Sequence, residues 1–251
     1  MNYNLKKFYS NKKVLIIGAT GFKGAWLSLW LNILGAKVSG IGYNPNSNKK
    51  LFKQLELEKK IKLKNIDIRN YNKVFNYLKK TKPEIVFHLA AQPIISKSYE
   101  IPKYTYEVNS LGTLNLIECL KNLKSVKSTI FVTSDKCYQS NNSTLGFKES
   151  DKLGGIDPYS GSKACAEIIV KTYYESFFKD KIKNGIATAR AGNVIGGGDW
   201  SKDRLIPDAI RSLNKKKTII IRNPNFNRPW QHVLEPLRGY LILGLKLYKN
   251  P

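Results

Sequence analysis

The chain has 251 residues, 42% of them hydrophobic, enough to bury a sizeable core and too apolar for a disordered chain. Its formal net charge is +25, but the lysines are spread out, no long basic block occurs and arginine is scarce beside lysine. Nucleic-acid binding as a main function is therefore set aside.

The excess of Lys, Asn and Ile reads as a bias toward AT-rich codons, and a basic field still draws in anionic small substrates. No run of about 18 apolar residues suggests a membrane span. Residues 1–7 lead into a strand without an apolar signal segment, so export is not expected. Cys119, Cys137 and Cys165 are odd in number and lie in no metal-ligand spacing. Reduced thiols in a bacterial-type cytoplasm, with no metal, are the expectation.

Lys12–Ile17 reads as a buried parallel strand, broken by Gly18-Ala19-Thr20-Gly21-Phe22-Lys23-Gly24 before an apolar helix from Ala25 to Leu34. Glycines there permit a tight turn and close backbone approach, so that a pyrophosphate can rest on the helix N-terminus. The spacing is Gly-x-x-Gly-x-x-Gly, not the commoner Gly-x-Gly-x-x-Gly. Such turns also serve packing alone, but strand, motif and helix in register favour a cofactor. A second strand, Lys37–Ile41, ends in Gly42-Tyr43-Asn44-Pro45 without the Asp or Glu that normally holds the ribose 2′-hydroxyl of NAD. No arginine stands there for NADP either, so the fingerprint leaves the two cofactors open. Asn44 or Ser47 can bind a hydroxyl, and either can equally be a turn residue.

A helical stretch, 49–60, leads to a third strand and then to Asp67, which can accept from an adenine amino group or simply start a helix. Ile85 to Gln92 reads as a buried strand whose Ala90 and Ala91 let a flat cofactor approach, with His88 a packing histidine. Residues 99–120 carry helical apolar spacing, and Asn109 is either a buried hydrogen-bonding group or a support for the site. The strand ending at Thr133 is followed by Ser134-Asp135-Lys136, and Pro158 opens a helix that runs to about Phe178. Gly185–Ala189 reads as a sixth strand. Its exit, Asn193-Val194-Ile195-Gly196-Gly197-Gly198, is expected either to cradle substrate phosphates or to form a flexible turn. Arg204 enters another helix, 218–224 reads as a short strand, Arg228 stands near the aromatic Trp230, and a last helix runs from Leu234 to Tyr248.

Strands and helices alternate throughout, which predicts a Rossmann-type α/β fold with a doubly wound parallel sheet. Residues 1–190 are expected to form the cofactor-binding domain with the catalytic residues. Residues 191–251 are expected to form part of a smaller substrate lobe, intermixed with the end of the sheet.

The chemistry concentrates between Thr133 and Lys163. Tyr159 and Lys163 are one helical turn apart on one face. The ammonium there is expected to favour phenolate, lowering a pKa that starts near 10. Ser134, Asp135 and Lys136 leave the C-terminal end of a parallel strand, where ligands sit in such sheets. Tyr-x-x-x-Lys alone is a weak signal. Following a dinucleotide turn and Ser-Asp-Lys, it is far more specific.

These pieces together resemble the extended short-chain dehydrogenase/reductase family, and within it the nucleotide-sugar 4,6-dehydratases. The resemblance rests on Gly21–Leu27, His88–Gln92, Ser134–Tyr138, Asp157–Ser160, Ala191–Trp200 and Arg228–Val233, spanning almost the whole chain. Asp135-Lys136 discriminates most sharply, because dTDP-glucose relatives look like Asp-Glu there and epimerases lack the acidic pair. The resemblance implies NAD held by Gly18, Thr20, Gly21, Phe22, Lys23, Gly24, Asp67, Ile68, Ala90, Ala91, Gln92, Tyr159 and Lys163.

It implies that Tyr159, helped by Lys163 and Ser134, takes the proton from the sugar C4 hydroxyl. Asp135 protonates the departing C6 hydroxyl and Lys136 takes the C5 proton, if burial or a second cation, with Lys163 the expected one, lowers its pKa. Asn193, Arg204, Arg228 and Trp230 are implied to hold the sugar nucleotide. A homodimer or dimer of dimers, paired through helices near 99–120 and 159–178, is also implied. Family chains usually continue past this C-terminus, so the substrate lobe reads as incomplete. A 4-epimerase and an inactive NAD-binding homologue are the competing readings.

Overall fold

The computed structural model describes residues 3–43, 49–139, 146–180 and 184–251. Among them, six parallel strands form one sheet: β1 (Lys13–Ile17), β2 (Lys37–Gly42), β3 (Lys62–Asn65), β4 (Ile85–His88), β5 (Ser128–Val132) and β6 (Gly185–Ala189). Their order is β3-β2-β1-β4-β5-β6, so the chain winds outward from β1 in both directions and leaves a crevice where the order reverses. Ile17 lies opposite both Ile41 and His88, and Val132 lies opposite Ala189.

Alternation along the central strands explains why their sequences are apolar without a break. Val14, Ile16, Phe87 and Ile130 face one core, whereas Leu15, Ile17, Val86 and Phe131 face the other. The first face is covered by α1 (Leu5–Tyr9), α2 (Phe22–Ile33) and α11 (Leu234–Lys249), through Tyr9, Leu27, Leu31, Leu237 and Leu241. The second is covered by α5 (Tyr71–Thr81), α8 (Gly112–Leu120) and α9 (Pro158–Tyr173), through Val74, Leu78, Leu116 and Val170. Each such fully buried leucine or valine contributes about 1.5–3 kcal/mol of transfer free energy. Short helices α3 (Lys49–Gln54), α4 (Leu57–Lys60), α6 (Ile95–Glu100) and α7 (Pro102–Tyr106), with α10 (Leu205–Asn214), complete the described α-helices.

Helix ends follow local rules. The Asn70 side-chain oxygen Oδ1 accepts from Lys73 N at 3.0 Å to start α5, and Lys82 ends it in a left-handed conformation. Asp157 accepts from Ser160 N at 2.9 Å to start α9, with Pro158 in the first turn.

Several elements differ from the sequence expectation. Residues 5–9 form α1, which puts Tyr9 wholly in the core, rather than leading straight into β1. The 99–120 stretch is not one helix: Pro102 starts α7, and Glu107–Leu111 is a π-helical turn centred on Asn109. Residues 218–224 form no strand. Ile219, Ile220 and Ile221 are exposed, and a β-branched run becomes a strand only where an edge is available to pair with. The second, two-stranded parallel sheet instead joins β7 (Asn193–Ile195) to β8 (Trp230–His232). α11 returns to lie against β5 and β6, so the last helix belongs to the main sheet's packing. No helix among the described residues is long and apolar enough to cross a membrane.

Candidate active site

The site begins where β1 and β4 end. Gly18 has φ +94°, and a Cβ there would stand 2.6 Å from Ala90 N, so the two strand exits touch through a backbone only glycine allows. A Cβ on Gly24 would stand 2.0 Å from Gly18 O, so α2 sits directly on the turn. Gly21 caps α2 with no side-chain cap, and a Cβ on it would meet only Gly18 O, at 3.4 Å. The first-turn amides of a 12-residue helix thus end at a glycine cradle, and these residues fit a dinucleotide pyrophosphate. Thr20 is buried against Gly42, and Phe22 packs on the first core.

Three residues of the expected cofactor set have their side chains engaged elsewhere. Both carboxylate oxygens of Asp67 accept from Arg69, which also bonds Glu107 at 2.8 Å and lies 4.7 Å from the Tyr104 ring centroid. Burial would raise the Asp67 pKa, but the Arg69 bonds outweigh it and hold the carboxyl low. Ile68 is buried beneath Gly112. Gln92 bonds Thr105 Oγ1 and both backbone groups of Ile94, while Ala90 and Ala91 stay half-buried at the strand exit. Asn44 and Ser47 lie outside the described residues.

The reacting groups gather at the end of β5. Ser134 opens a 3₁₀ turn over Asp135–Cys137; its hydroxyl accepts from Lys136 N at 3.2 Å and donates to Asp135 Oδ1 at 3.0 Å. Across from the turn, α9 presents Tyr159 and Lys163. Lys163 is 5% exposed, and its ammonium donates to Val132 O at 3.2 Å, beside the turn. Asn109 in the π-helical turn ties the parts together, accepting from Gln92 N at 2.8 Å and donating to Ser162 Oγ at 2.9 Å. It therefore supports the site from below, which a helical spacing pattern alone leaves open.

The electrostatics differ from the expectation in two respects. The expected lowering of Tyr159 is not found: burial pushes its phenol up, against opposing pulls from the Ser134 hydroxyl bond and the Arg204 charge. The lysine takes the downward shift instead: burial and the nearby Lys23 cation bring Lys163 down to about 8. Lys136 is lowered as expected, by burial first, but the crowding cation is Arg228, not Lys163. Lys23 itself falls to about 8, through burial and Arg204. Its electrostatic role is hidden in a glycine motif and follows only from its half-buried place in the first turn of α2.

The substrate side is built by the small sheet. Asn193 N donates to Pro229 O at 3.1 Å, which sets Asn193 beside Arg228 and Trp230. Arg228 acts electrostatically on Lys136, and Trp230 is 42% exposed. Arg204 pairs with Asp199 at 2.8 Å and influences Tyr159 and Lys23. The three glycines between them serve packing. A Cβ on Gly196 would strike Val233 and crowd Phe22, one on Gly198 would strike Leu51, and Gly197 O accepts from Trp26 Nε1 at 2.9 Å.

A 3-2-1-4-5-6 sheet, a glycine cradle at its crevice and a Ser/Tyr/Lys cluster at the end of β5 define a Rossmann-type enzyme of the extended short-chain dehydrogenase/reductase class. Comparison with known proteins narrows this class. Residues 15–243 match the family model of GDP-mannose 4,6 dehydratase, and the chain belongs to that family. It is 47% identical over 247 residues to CDP-glucose 4,6-dehydratase of Salmonella typhimurium (strain LT2), covering 97% of this chain and 69% of that protein. It is 33% identical over 225 residues to dTDP-D-glucose 4,6-dehydratase of Dictyostelium discoideum, covering 83% of this chain and 50% of that one. In fold, it is similar to a dTDP-glucose 4,6-dehydratase from Streptomyces venezuelae solved with NAD, at TM-score 0.80 and 21% identity, covering 92% of this chain and 71% of that one.

Proposed function

We propose that the chain dehydrates CDP-glucose to CDP-4-keto-6-deoxyglucose, using NAD regenerated within each turnover. The observation that carries the reading is the placing of Asp135 and Lys136 on one 3₁₀ turn, facing the Tyr159–Lys163 helix, in a chain 47% identical to a CDP-glucose 4,6-dehydratase. The Gly18–Gly24 cradle and Ala90 would hold NAD, which would supply the oxidant for C4 and the reductant for C6. Tyr159 takes the C4 hydroxyl proton, with Ser134 and Arg204 pulling its phenol down against burial. Lys163, lowered to about 8, sits one helical turn away to exchange protons with it.

Oxidation at C4 acidifies the C5 proton. Lys136, lowered by burial and Arg228, removes it, Asp135 gives a proton to the departing C6 hydroxyl, and Lys136 returns its proton to C5 when C6 is reduced. Asn193, Arg204, Arg228 and Trp230 hold the nucleotide: arginine suits pyrophosphate and tryptophan a flat face. A 4-epimerase would have no use for the Asp135-Lys136 pair.

Residues 1–190 carry cofactor and catalysis, and 191–251 contribute part of the sugar-nucleotide lobe, intermixed with the end of the sheet, on which α11 packs. The chain works in the cytoplasm, supplying deoxysugars for O-antigen lipopolysaccharide. It pairs as a homodimer, or dimer of dimers, through the exposed Tyr99, Leu111, Ile168 and Phe177.

Mixing the protein with CDP-glucose tests the assignment. The wild type is expected to show transient reduced-nicotinamide absorbance and a product lighter by one water. Lys136→Ala is expected to keep the reduction and lose most of the product. Full turnover by that variant would refute the role of Lys136, and a product of unchanged mass would refute dehydration.

A further inference from the structure

A buried ion pair stands behind the catalytic turn and takes no part in the chemistry described above. Glu167 lies on α9, one turn beyond Lys163, with its side chain 4% exposed; Arg190 follows β6, with its side chain 16% exposed. Arg190 Nε and Nη2 reach the two carboxylate oxygens of Glu167 at 2.9 and 2.8 Å, a bidentate fork. Glu167 also accepts from the Thr133 hydroxyl, immediately before Ser134. Arg190 Nη1 donates at 2.8 Å to the hydroxyl of Tyr138, two residues after Lys136, and the guanidinium lies 4.8 Å from that ring's centroid. Burial would raise the Glu167 pKa, yet its bonds from Arg190, Thr133 and Thr188 keep it low and charged.

The pair thus grips the 134–136 turn at both ends. One grip acts through Thr133 and the other through Tyr138. We propose that Glu167 and Arg190 are positioning residues that hold Asp135 and Lys136, which carry the elimination, in register with Ser134, Tyr159 and Lys163, which carry the oxidation. The proposal rests on the dehydratase reading for its kinetic consequence, but not for its structural one. A buried pair is a costly way to gain stability, because desolvation offsets most of its attraction. A fixed distance between two half-sites is what the bidentate fork adds. Tyr159 and Lys163 have separate anchors: Ser110 Oγ donates to Ser162 O at 3.1 Å, Asn109 bonds Ser162, and Lys163 bonds Val132. Loosening the Tyr138 end, with the Thr133 grip beside Ser134 and Val132 kept, should therefore affect elimination more than oxidation.

Tyr138→Phe is the sharpest test, because it removes one hydroxyl while leaving the ring, its stack on Phe147 and the cation contact in place. With CDP-glucose, the variant is expected to reduce bound NAD within about twofold of the wild-type rate. Product formation should slow by about tenfold to a hundredfold, the scale set by misplacing a reacting group by about 1 Å. Arg190→Lys should be affected like Arg190→Met, since lysine keeps the charge but lacks the fork. Hydrogen–deuterium exchange of the 133–138 amides supplies a readout independent of turnover, with faster exchange in Tyr138→Phe and unchanged exchange in β1 and β4. Equal slowing of reduction and product formation, or unchanged exchange at 133–138, would overturn the positioning role. If the wild type makes no dehydrated product, the reaction reading fails on its own, and the exchange result still decides the positioning role.

Discussion

Lys163→Met is expected to stabilise the fold while abolishing turnover. Lys163 is 5% exposed, and among the described residues its ammonium has one hydrogen bond, to Val132 O at 3.2 Å. Burial and Lys23 bring its pKa from the ordinary 10.5 to about 8. At 1.36 kcal/mol per pH unit, that difference makes the charged lysine cost about 3 kcal/mol of folding free energy. Removing the amine relieves this cost and loses one hydrogen bond worth about 1 kcal/mol, leaving a net gain of about 2 kcal/mol at pH 7.

The sign follows from proton counting. Below pH 8 both folded and unfolded chains carry the proton, and the penalty is complete. Between about 8 and 10.5 the folded chain releases it first, so the penalty fades as pH rises. The advantage of Lys163→Met should shrink to about zero near pH 10. Urea unfolding of both proteins at a series of pH values measures this difference, and titrating groups that do not interact with Lys163 cancel in the comparison. A variant less stable than wild type at pH 7, or a difference independent of pH, would refute the reasoning.

Other expectations test the parts of the site separately. Gly24→Ala places a Cβ against Gly18 O, so it should cost about 1–3 kcal/mol by overpacking and weaken NAD binding, read by thermal unfolding and by titration. Trp26→Phe removes the bond to Gly197 O and should cost about 0.5–1.5 kcal/mol in urea unfolding. It should also raise the KM for the nucleotide sugar more than it alters NAD affinity, because Gly197 lies between Asn193 and Arg204. Tyr9→Phe leaves the buried Leu241 carbonyl without its 2.7 Å partner and should cost about 1–3 kcal/mol by urea unfolding.

The sheet was legible because its strands are buried on both faces, which leaves unbroken apolar runs such as Val14–Ile17 and Ile85–Phe87 between helical periods. The same signal misled at 218–224, where Ile219–Ile221 has strand propensity but lies exposed, and the small sheet formed at Asn193–Ile195 and Trp230–His232 instead. Periodicity also hid the π-helical turn at Asn109, since one inserted residue barely disturbs an apolar stripe. At the site, spacing along α9 correctly put Tyr159 and Lys163 on one helix. It could not tell which group carries the pKa shift, because desolvation depends on burial. Nor could it pair Lys23 with Lys163, or Arg228 with Lys136, across 140 and 92 residues of sequence respectively. The three glycines after Ile195 were ambiguous for a related reason: a turn that opens to a ligand and one that packs on a neighbouring helix have the same composition.

Incubating the protein with CDP-glucose, and in parallel with dTDP-, UDP- and GDP-glucose, tests the central claim most directly. Product mass and bound NAD would be measured in the same samples. The account predicts loss of one water from CDP-glucose alone, with NAD recovered oxidised at the end. Bound NAD with no dehydrated product from CDP-glucose, or equal dehydration of all four donors, would contradict it.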